Sequence, residues 1–208
     1  MKKFGVLVAM LLTAALLFTG CAQQEGFDPS NAIATVSREE GSGTRGAFVE
    51  LMGLEDEEGN DLTDVNADIA GSTSVMMTNV AGNPYAIGYI SLGSLDATVK
   101  AIKVDGVAAT VDEILAGNYK VSRPFNIAVK QDSLSEVAQD FVDYILSTEG
   151  QAVIEKAGYI PLSDTKAYAG SKPSGEIRVS GSSSVSPVME KLIEAYEALN
   201  TNASIQLQ

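Results

Sequence analysis

A predicted strand, a glycine-rich loop and a predicted helix follow one another early in the sequence, and this unit constrains the fold most. Residues 32–36 read AIATV, residues 37–46 read SREEGSGTRG and residues 47–52 read AFVELM. The start of a helix presents unpaired backbone N–H groups and about half a unit of positive charge. A loop at that position readily holds an anion, so the unit predicts an α/β protein with an anion-binding loop.

The loop supplies the side chains that an anion site needs. Ser42 and Thr44 offer hydroxyls, and Arg38 and Arg45 offer guanidinium groups, which together favour an anion cradle. Two other interpretations stay open at this point. Residues 41–46 also fit G-x-G-x-x-G, the dinucleotide fingerprint, although that pattern alone is a weak signal. The loop could also be an ordinary turn in which Ser42 or Thr44 caps the helix.

A second unit of the same kind lies near the C-terminal end of the sequence. Residues 176–180 predict a strand, and residues 181–187 read GSSSVSP, with Ser186 expected as the cap of the next helix and Pro187 at its first position. Two such loops that face each other across a cleft could surround a tetrahedral oxyanion with N–H and O–H donors. Hydrogen bonds to a charged group contribute about 1.5–3 kcal/mol each.

The sequence between the two units alternates between strand and helix patterns. A capping box of Ser133 and Glu136 marks one helix start, and residues 165–175, rich in Lys, Ser, Gly and Pro, indicate a linker. Strands are predicted at residues 85–91, 99–104, 124–129 and 204–208. Helices are predicted at residues 75–81, 111–116, 134–146 and 150–156.

The composition excludes several classes of function. The chain has 208 residues, 45% of them hydrophobic, which allows an ordinary globular core. Its formal net charge of −13, without a basic tract, argues against nucleic acid as a partner. The absence of His removes His-based triads and most zinc sites, and the single Cys, Cys21, removes internal disulfides and cysteine metal clusters. No metal and no cofactor are expected.

Residues 1–20 have the layout of a secretory signal peptide. A basic start precedes an apolar run at residues 4–18, which is short for a membrane span of about twenty residues. Small residues before Cys21 indicate a lipoprotein signal, with cleavage before Cys21 and acylation of its thiol. Phe18 stands where Leu is commoner in such signals, and plain secretion is the alternative. Residues 21–30 are then a polar tether.

Three motifs resemble those of the phosphate-binding proteins of bacterial ABC phosphate importers. They are SREEGSGTR at residues 37–45, GNPYAIGYI at residues 82–90 and GSSSVSPVM at residues 181–189. The resemblance covers nearly all of the chain from about residue 33 onward. It implies a type II periplasmic-binding fold, in which two small α/β lobes close on phosphate and deliver it to a membrane permease.

The resemblance also implies which residues contact phosphate. The implied contacts are Arg38, Ser42, Gly43, Thr44, Ser183, Ser184 and Val185. The first four lie in the loop of the second lobe, and the last three lie in the loop of the first lobe, where Val185 could donate a backbone N–H.

The order of the segments departs from that of the family, in which the Gly-Ser-Ser-Ser loop usually comes first. Here residues 31–120 are expected to form the second-lobe domain, residues 121–164 the return segment to the first lobe, and residues 176–208 the start of that lobe. The family segment that carries a Ser and a proton-accepting Asp is expected to be missing. The first lobe would then be incomplete and in permuted order. The chain would be either a rearranged or truncated member of the family or a small permuted relative of it.

The expected function is extracytoplasmic oxyanion binding for phosphate import, by a lipoprotein at the cell membrane whose partner is an ABC permease. Without the Asp acceptor, a site made of donors loses its preference for phosphate over sulfate. One alternative is a truncated or vestigial surface lipoprotein without high-affinity binding. A Ser-based phosphatase using Ser42 or Ser183 is a further alternative, but the sequence offers it no His base.

Overall fold

A computed structural model describes residues 27–208, apart from the side chain of Gln131. The expected signal peptide and the lipidation site at Cys21 lie outside the described residues. The chain divides into two units, Met1–Ala32 and Ile33–Gln208. In the described part of the first unit, the Asp28 carboxylate accepts hydrogen bonds from the backbone N–H and the hydroxyl of Ser30, at 2.9 and 2.8 Å.

A parallel three-stranded sheet forms the first layer of the second unit. Its strands are β1 (Ala34–Arg38), β2 (Asp68–Ala70) and β3 (Ala86–Ile87), in the order β2-β1-β3. Strand β1 is central, and its last three residues are buried. The loop that follows β1 therefore begins from a fixed, buried point, which is what a rigid binding loop needs.

Two helices pack close to this sheet. Helix α1 (Gly43–Met52) starts after Ser42 and stops at Gly53, whose φ of 64° is the left-handed conformation that glycine adopts most easily. Helix α2 (Thr73–Gly82) starts after Ser72, whose side chain accepts a hydrogen bond from the N–H of Val75. A small core beneath α2 joins it to the sheet through Val36, Ala70 and Met76.

The larger core lies around a second sheet of two parallel strands, β4 (Gly175–Val179) and β5 (Ala203–Leu207). Its helices are α4 (Glu136–Ile145), α5 (Thr148–Lys156) and α6 (Ser186–Leu199), and the short α3 (Val111–Leu115) precedes them. Buried side chains from these elements form one cluster that includes Phe141, Tyr144, Ile145, Leu192, Tyr196 and Ile205. Among the described residues, no helix is both long and apolar enough to cross a membrane.

Two predicted strands are absent from the described structure. Residues 99–104 contain one isolated bridge, between Val104 and Val107, and residues 124–129 have no strand pairing. Phe125 and Val129 remain 45% and 49% exposed. A strand exists only when a neighbour completes its hydrogen bonds, and the described chain places no strand beside either segment. The strand predicted at residues 85–91 is likewise reduced to β3.

Two predicted helix caps are also wrong. Ser135, rather than Ser133, caps α4 by accepting a hydrogen bond from the N–H of Ala138 at 3.2 Å. The capping position of α6 is Val185, which makes no side-chain cap, and Ser186 is already helical. Pro187 does lie in the first turn, where its missing N–H costs no helical hydrogen bond.

The segment at residues 165–175 has neither helix nor strand before β4, yet it is held along its length. The carbonyl of Lys166 accepts from Thr148 N at 2.8 Å, and the N–H of Tyr168 donates to Glu149 at 2.7 Å. The Asp140 carboxylate accepts from the N–H of Ser171 at 3.1 Å. The expected domain boundaries, including a linker here, stay predictions.

Candidate functional site

The side chain of Arg38 is the centre of the candidate site. Arg38 ends β1 and is 1% exposed, so its charge must be satisfied by partners within the protein. Its Nε and Nη2 donate to the two carboxylate oxygens of Glu39, each at 2.8 Å, and Nε also donates to the carbonyl of Ala70 at 3.2 Å. Nη1 donates to the hydroxyl of Thr73 at 3.2 Å, and Nη2 to that of Ser183 at 3.0 Å.

Glu39 gives the guanidinium its fork-to-fork ionic partner. The Glu39 side chain is 37% exposed whereas that of Arg38 is buried, so water competes with one end of the pair. Hydrogen bonding from Arg38 lowers the pKa of the Glu39 carboxyl below its ordinary value. At neutral pH the pair is therefore ionised, and the site carries one cation neutralised by one anion.

The backbone of Arg38 is fixed by Tyr89, which lies two residues beyond β3, a neighbouring strand of β1. The hydroxyl of Tyr89 lies 2.8 Å from the Ser37 hydroxyl and accepts the backbone N–H of Arg38 at 3.0 Å. The Tyr89 ring stacks on Phe48 of α1, with 4.0 Å between ring centroids and 2° between the planes. This contact couples the start of the loop to the helix that ends it.

The N-terminus of α1 contributes Ser42, Gly43 and Thr44 to the site. The Ser42 hydroxyl caps the helix by accepting the N–H of Arg45, at 3.4 Å. The Thr44 hydroxyl hydrogen-bonds the hydroxyl of Ser184 from the second loop. Arg45, expected in the cradle, instead donates to Asp61 at 2.7 Å and to the carbonyl of Arg38 at 2.9 Å, so it supports the loop from outside.

The hydroxyl loop before α6 meets this group directly. Besides contacting Arg38, the Ser183 hydroxyl lies 3.4 Å from the N–H and 3.3 Å from the hydroxyl of Thr73. The Ser184 hydroxyl lies 3.3 Å from the Thr73 hydroxyl. The N–H of Val185 is engaged inside the loop, where it donates to the carbonyl of Ser182 at 2.8 Å. The two loops that the sequence placed far apart are thus brought together, while the contact implied for Val185 stays a prediction.

Thr73 is a member of this cluster that the sequence did not single out. It opens α2, is 6% exposed, and touches Arg38, Ser183 and Ser184 through one hydroxyl. From the sequence, residues 72–74 indicate only the start of the helix predicted at residues 75–81. Ser72 makes the cap, so the Thr73 hydroxyl is not used for capping and instead contacts the Arg38 guanidinium.

The cluster has the chemistry of an oxyanion site. It combines a guanidinium, several hydroxyls and the N-termini of α1 and α2, whose dipoles favour negative charge. Within the described part of the chain, no group of three His, Cys, Asp or Glu side chains is placed to hold a metal ion.

Known proteins resemble this chain in sequence over most or all of its length. Residues 18–149 match a family model described as a PBP superfamily domain. The curated phosphate-binding protein PstS 2 of Streptococcus agalactiae serotype V is 48% identical over 215 residues, which cover 100% of this chain and 73% of that protein. PstS 2 of Streptococcus pneumoniae serotype 4 is 42% identical over 210 residues, covering 95% of this chain and 72% of that protein.

Solved structures give a similar result. A phosphate-binding protein of a phosphate ABC transporter from Streptococcus pneumoniae aligns with a TM-score of 0.69 at 44% identity, over 85% of this chain and 70% of that one. A substrate-binding protein from Clostridium perfringens, solved with bound phosphate, aligns with a TM-score of 0.57 at 45% identity, over 63% of this chain and 52% of that one.

Proposed function

Because the chain belongs to the PstS family of phosphate-binding proteins, we propose that it binds inorganic phosphate outside the cytoplasm for an ABC-type phosphate importer. The type II periplasmic-binding α/β fold expected from the resemblance is confirmed by the likeness to the pneumococcal structure. The family consists of binding proteins and not of enzymes, so the phosphatase alternative is set aside. The chain spans 73% of the length of its streptococcal relative.

The contact between Arg38 and Ser183 carries this proposal. The 3.0 Å hydrogen bond joins the two anion-type loops across 145 residues of sequence. A guanidinium with hydroxyls around it offers charge-assisted hydrogen bonds to the oxygens of a tetrahedral anion. The residues proposed as phosphate contacts are Arg38, Ser42, Gly43, Thr44, Ser183, Ser184 and Val185.

The selectivity of the site follows from its acceptors. The Glu39 carboxylate uses both oxygens on Arg38, and hydroxyls are weaker acceptors than a carboxylate. The proton of hydrogen phosphate therefore finds no strong acceptor and adds little affinity. Sulfate, which carries no proton at neutral pH, is expected to compete with phosphate.

Isothermal titration of the purified chain with phosphate, and then with phosphate in the presence of sulfate, tests the proposal. We expect saturable binding that sulfate weakens. Ser183→Ala removes the hydroxyl that accepts a hydrogen bond from Arg38. It should raise the phosphate Kd about tenfold, equivalent to about 1.4 kcal/mol. Ser133→Ala, at an exposed serine outside the site, is the matched control. Absence of saturable binding below the millimolar range would favour the vestigial alternative.

We propose in addition that Cys21 is acylated and anchors the chain to the outer face of the membrane, where it meets the permease. The motif before Cys21 supports this. Metabolic labelling with an alkyne-bearing fatty acid should mark the wild-type chain and leave the Cys21→Ser variant unmarked. Release of unlabelled wild-type chain into the medium would instead indicate plain secretion.

A further inference from the structure

Tyr159 contacts the hydroxyl loop at the carbonyl of Ser184, whereas Arg38 contacts it at the hydroxyl of Ser183. It follows α5 after Gly158, whose φ of 85° turns the chain, and only 9% of its surface is exposed. The Tyr159 hydroxyl donates to the carbonyl of Ser184 at 2.8 Å. Ser184 is itself 1% exposed, so its carbonyl would lack a partner without this hydrogen bond.

The ring of Tyr159 also rests on a glycine of the segment that follows β3. Gly93 lies in the 3₁₀ turn Leu92–Ser94. A Cβ placed on Gly93 would stand 2.3 Å from Cζ of Tyr159 and within 2.6 Å of both neighbouring ring carbons. A methyl group cannot occupy that space unless the ring moves, so the close approach of ring and backbone requires glycine here.

The segment that carries Gly93 reaches the other loop as well. Tyr89, four residues earlier, binds the backbone N–H of Arg38 and the hydroxyl of Ser37. We call residues 89–93 the bridge segment. It contacts the Arg38 loop directly through Tyr89 and the Ser184 loop through the Tyr159 ring.

We propose that Tyr159 is a positioning residue for oxyanion binding, which sets the place of Ser184 relative to Arg38. Its hydroxyl holds the Ser184 carbonyl on one side, so that the Ser184 hydroxyl points to Thr44 and Thr73 on the other. Its ring, seated on Gly93, fixes that arrangement against the bridge segment. The binding part of this inference rests on the proposed function.

Tyr159→Phe keeps the ring and removes the hydroxyl. We expect the phosphate Kd to rise about tenfold. In the ligand-free protein, amide hydrogen exchange should quicken in residues 181–186, where the N–H groups of Ser184, Val185 and Ser186 are bonded within the loop. Tyr168→Phe is the matched control, since its hydroxyl donates to Asp140 at 2.5 Å and not to the site loops. That variant should lose stability with no change in Kd or in exchange of residues 181–186.

Gly93→Ala tests the ring contact, with Gly82→Ala as its control because a Cβ at Gly82 meets nothing within 4 Å. We expect Gly93→Ala to weaken phosphate binding and to quicken exchange in residues 181–186, whereas Gly82→Ala does neither. If Gly93→Ala does not fold, Tyr159→Phe carries the test alone.

The exchange measurement separates this inference from the proposed function. A wild-type chain that binds no phosphate would overturn the proposed function, while exchange in the ligand-free protein would still report on the loop. Unchanged exchange in residues 181–186 of Tyr159→Phe would overturn the positioning role. So would an equal loss of affinity in Tyr159→Phe and Tyr168→Phe.

Discussion

The phenol oxygen of Tyr89 lies 3.0 Å from the backbone nitrogen of Arg38, so a residue 51 positions away fixes the point from which the guanidinium starts. The same oxygen contacts the Ser37 hydroxyl. The conformation of the candidate site is therefore set partly by a side chain whose ring packs on α1 and does not belong to either loop.

Tyr89→Phe should lower the free energy of unfolding by about 1–2 kcal/mol, because the backbone N–H of Arg38 loses its acceptor while the stacking on Phe48 remains. Urea denaturation followed by circular dichroism measures the change. Tyr119→Phe serves as the control, since the Tyr119 hydroxyl makes no hydrogen bond to other described residues. Equal midpoints for the two variants would contradict the assigned role.

Glu39→Gln should strengthen phosphate binding about fivefold, because it removes the negative charge that is paired with the Arg38 guanidinium. A fivefold change in Kd corresponds to the upper end of the free energies of partly exposed ion pairs. Titration calorimetry at low and moderate salt measures this. Glu40→Gln makes the same charge change at an exposed neighbour and should have a smaller effect that salt removes. Indistinguishable Kd values for the two variants would mean that only net charge matters.

The lowered pKa of Glu39 also predicts a pH dependence of stability. A carboxyl with a pKa lower in the folded chain than in the unfolded chain stabilises the fold above the unfolded pKa, here the ordinary value of 4.5. That contribution is lost as the pH falls through the lower, folded pKa. Thermal unfolding between pH 6 and pH 3 should therefore show a smaller acid-induced loss in Glu39→Gln than in the wild type. Parallel curves would argue against the ion pair.

Thr73→Val should weaken phosphate binding about tenfold and lower the free energy of unfolding by about 1–3 kcal/mol, since the buried guanidinium of Arg38 loses an acceptor. Thr73→Ser keeps the hydroxyl and should retain most of the affinity. Titration calorimetry and urea denaturation of both variants provide the comparison. If Thr73→Ser binds as poorly as Thr73→Val, the methyl group rather than the hydroxyl is what the site needs.

The tyrosines that contact Asp140 predict how the stability of the fold changes at high pH. Burial, together with hydrogen bonding to the Asp140 carboxylate at 2.8 Å, raises the pKa of Tyr196 to about 12 from an ordinary value of 10. Because folding raises this pKa, the contribution of the neutral Tyr196 phenol to stability is fully present below pH 10 and is lost as the pH rises towards 12. Tyr196→Phe should flatten that decline, measured by denaturation at pH 9 and pH 11. A decline as steep as in the wild type would contradict the prediction.

The two anion-type loops could be predicted because each depends on local sequence. A strand, glycines and hydroxyls before a helix determine where Arg38 and Ser183 stand relative to a helix N-terminus. Thr73 could not be singled out in the same way, since residues 72–74 offer three hydroxyls and only the helix start decides which of them makes the cap.

The predicted strands that failed depend on distant partners. Residues 124–129 alternate apolar side chains as a strand does, but hydrogen bonding to a neighbouring strand is not a local property. The ring of Tyr159 on Gly93 is a similar case, because the two residues are far apart in sequence and nothing near either one indicates the other.

The contact between Arg38 and Ser183 closes a loop of 145 residues, and this affects how the protein folds. Closing so long a loop costs chain entropy that no local interaction offsets. The two cores can each form from nearer contacts, so the hydrogen bonds between the loops are expected to form last and to open first. Ligand binding at that junction would then favour the fully folded chain over any state in which one core is formed without the other.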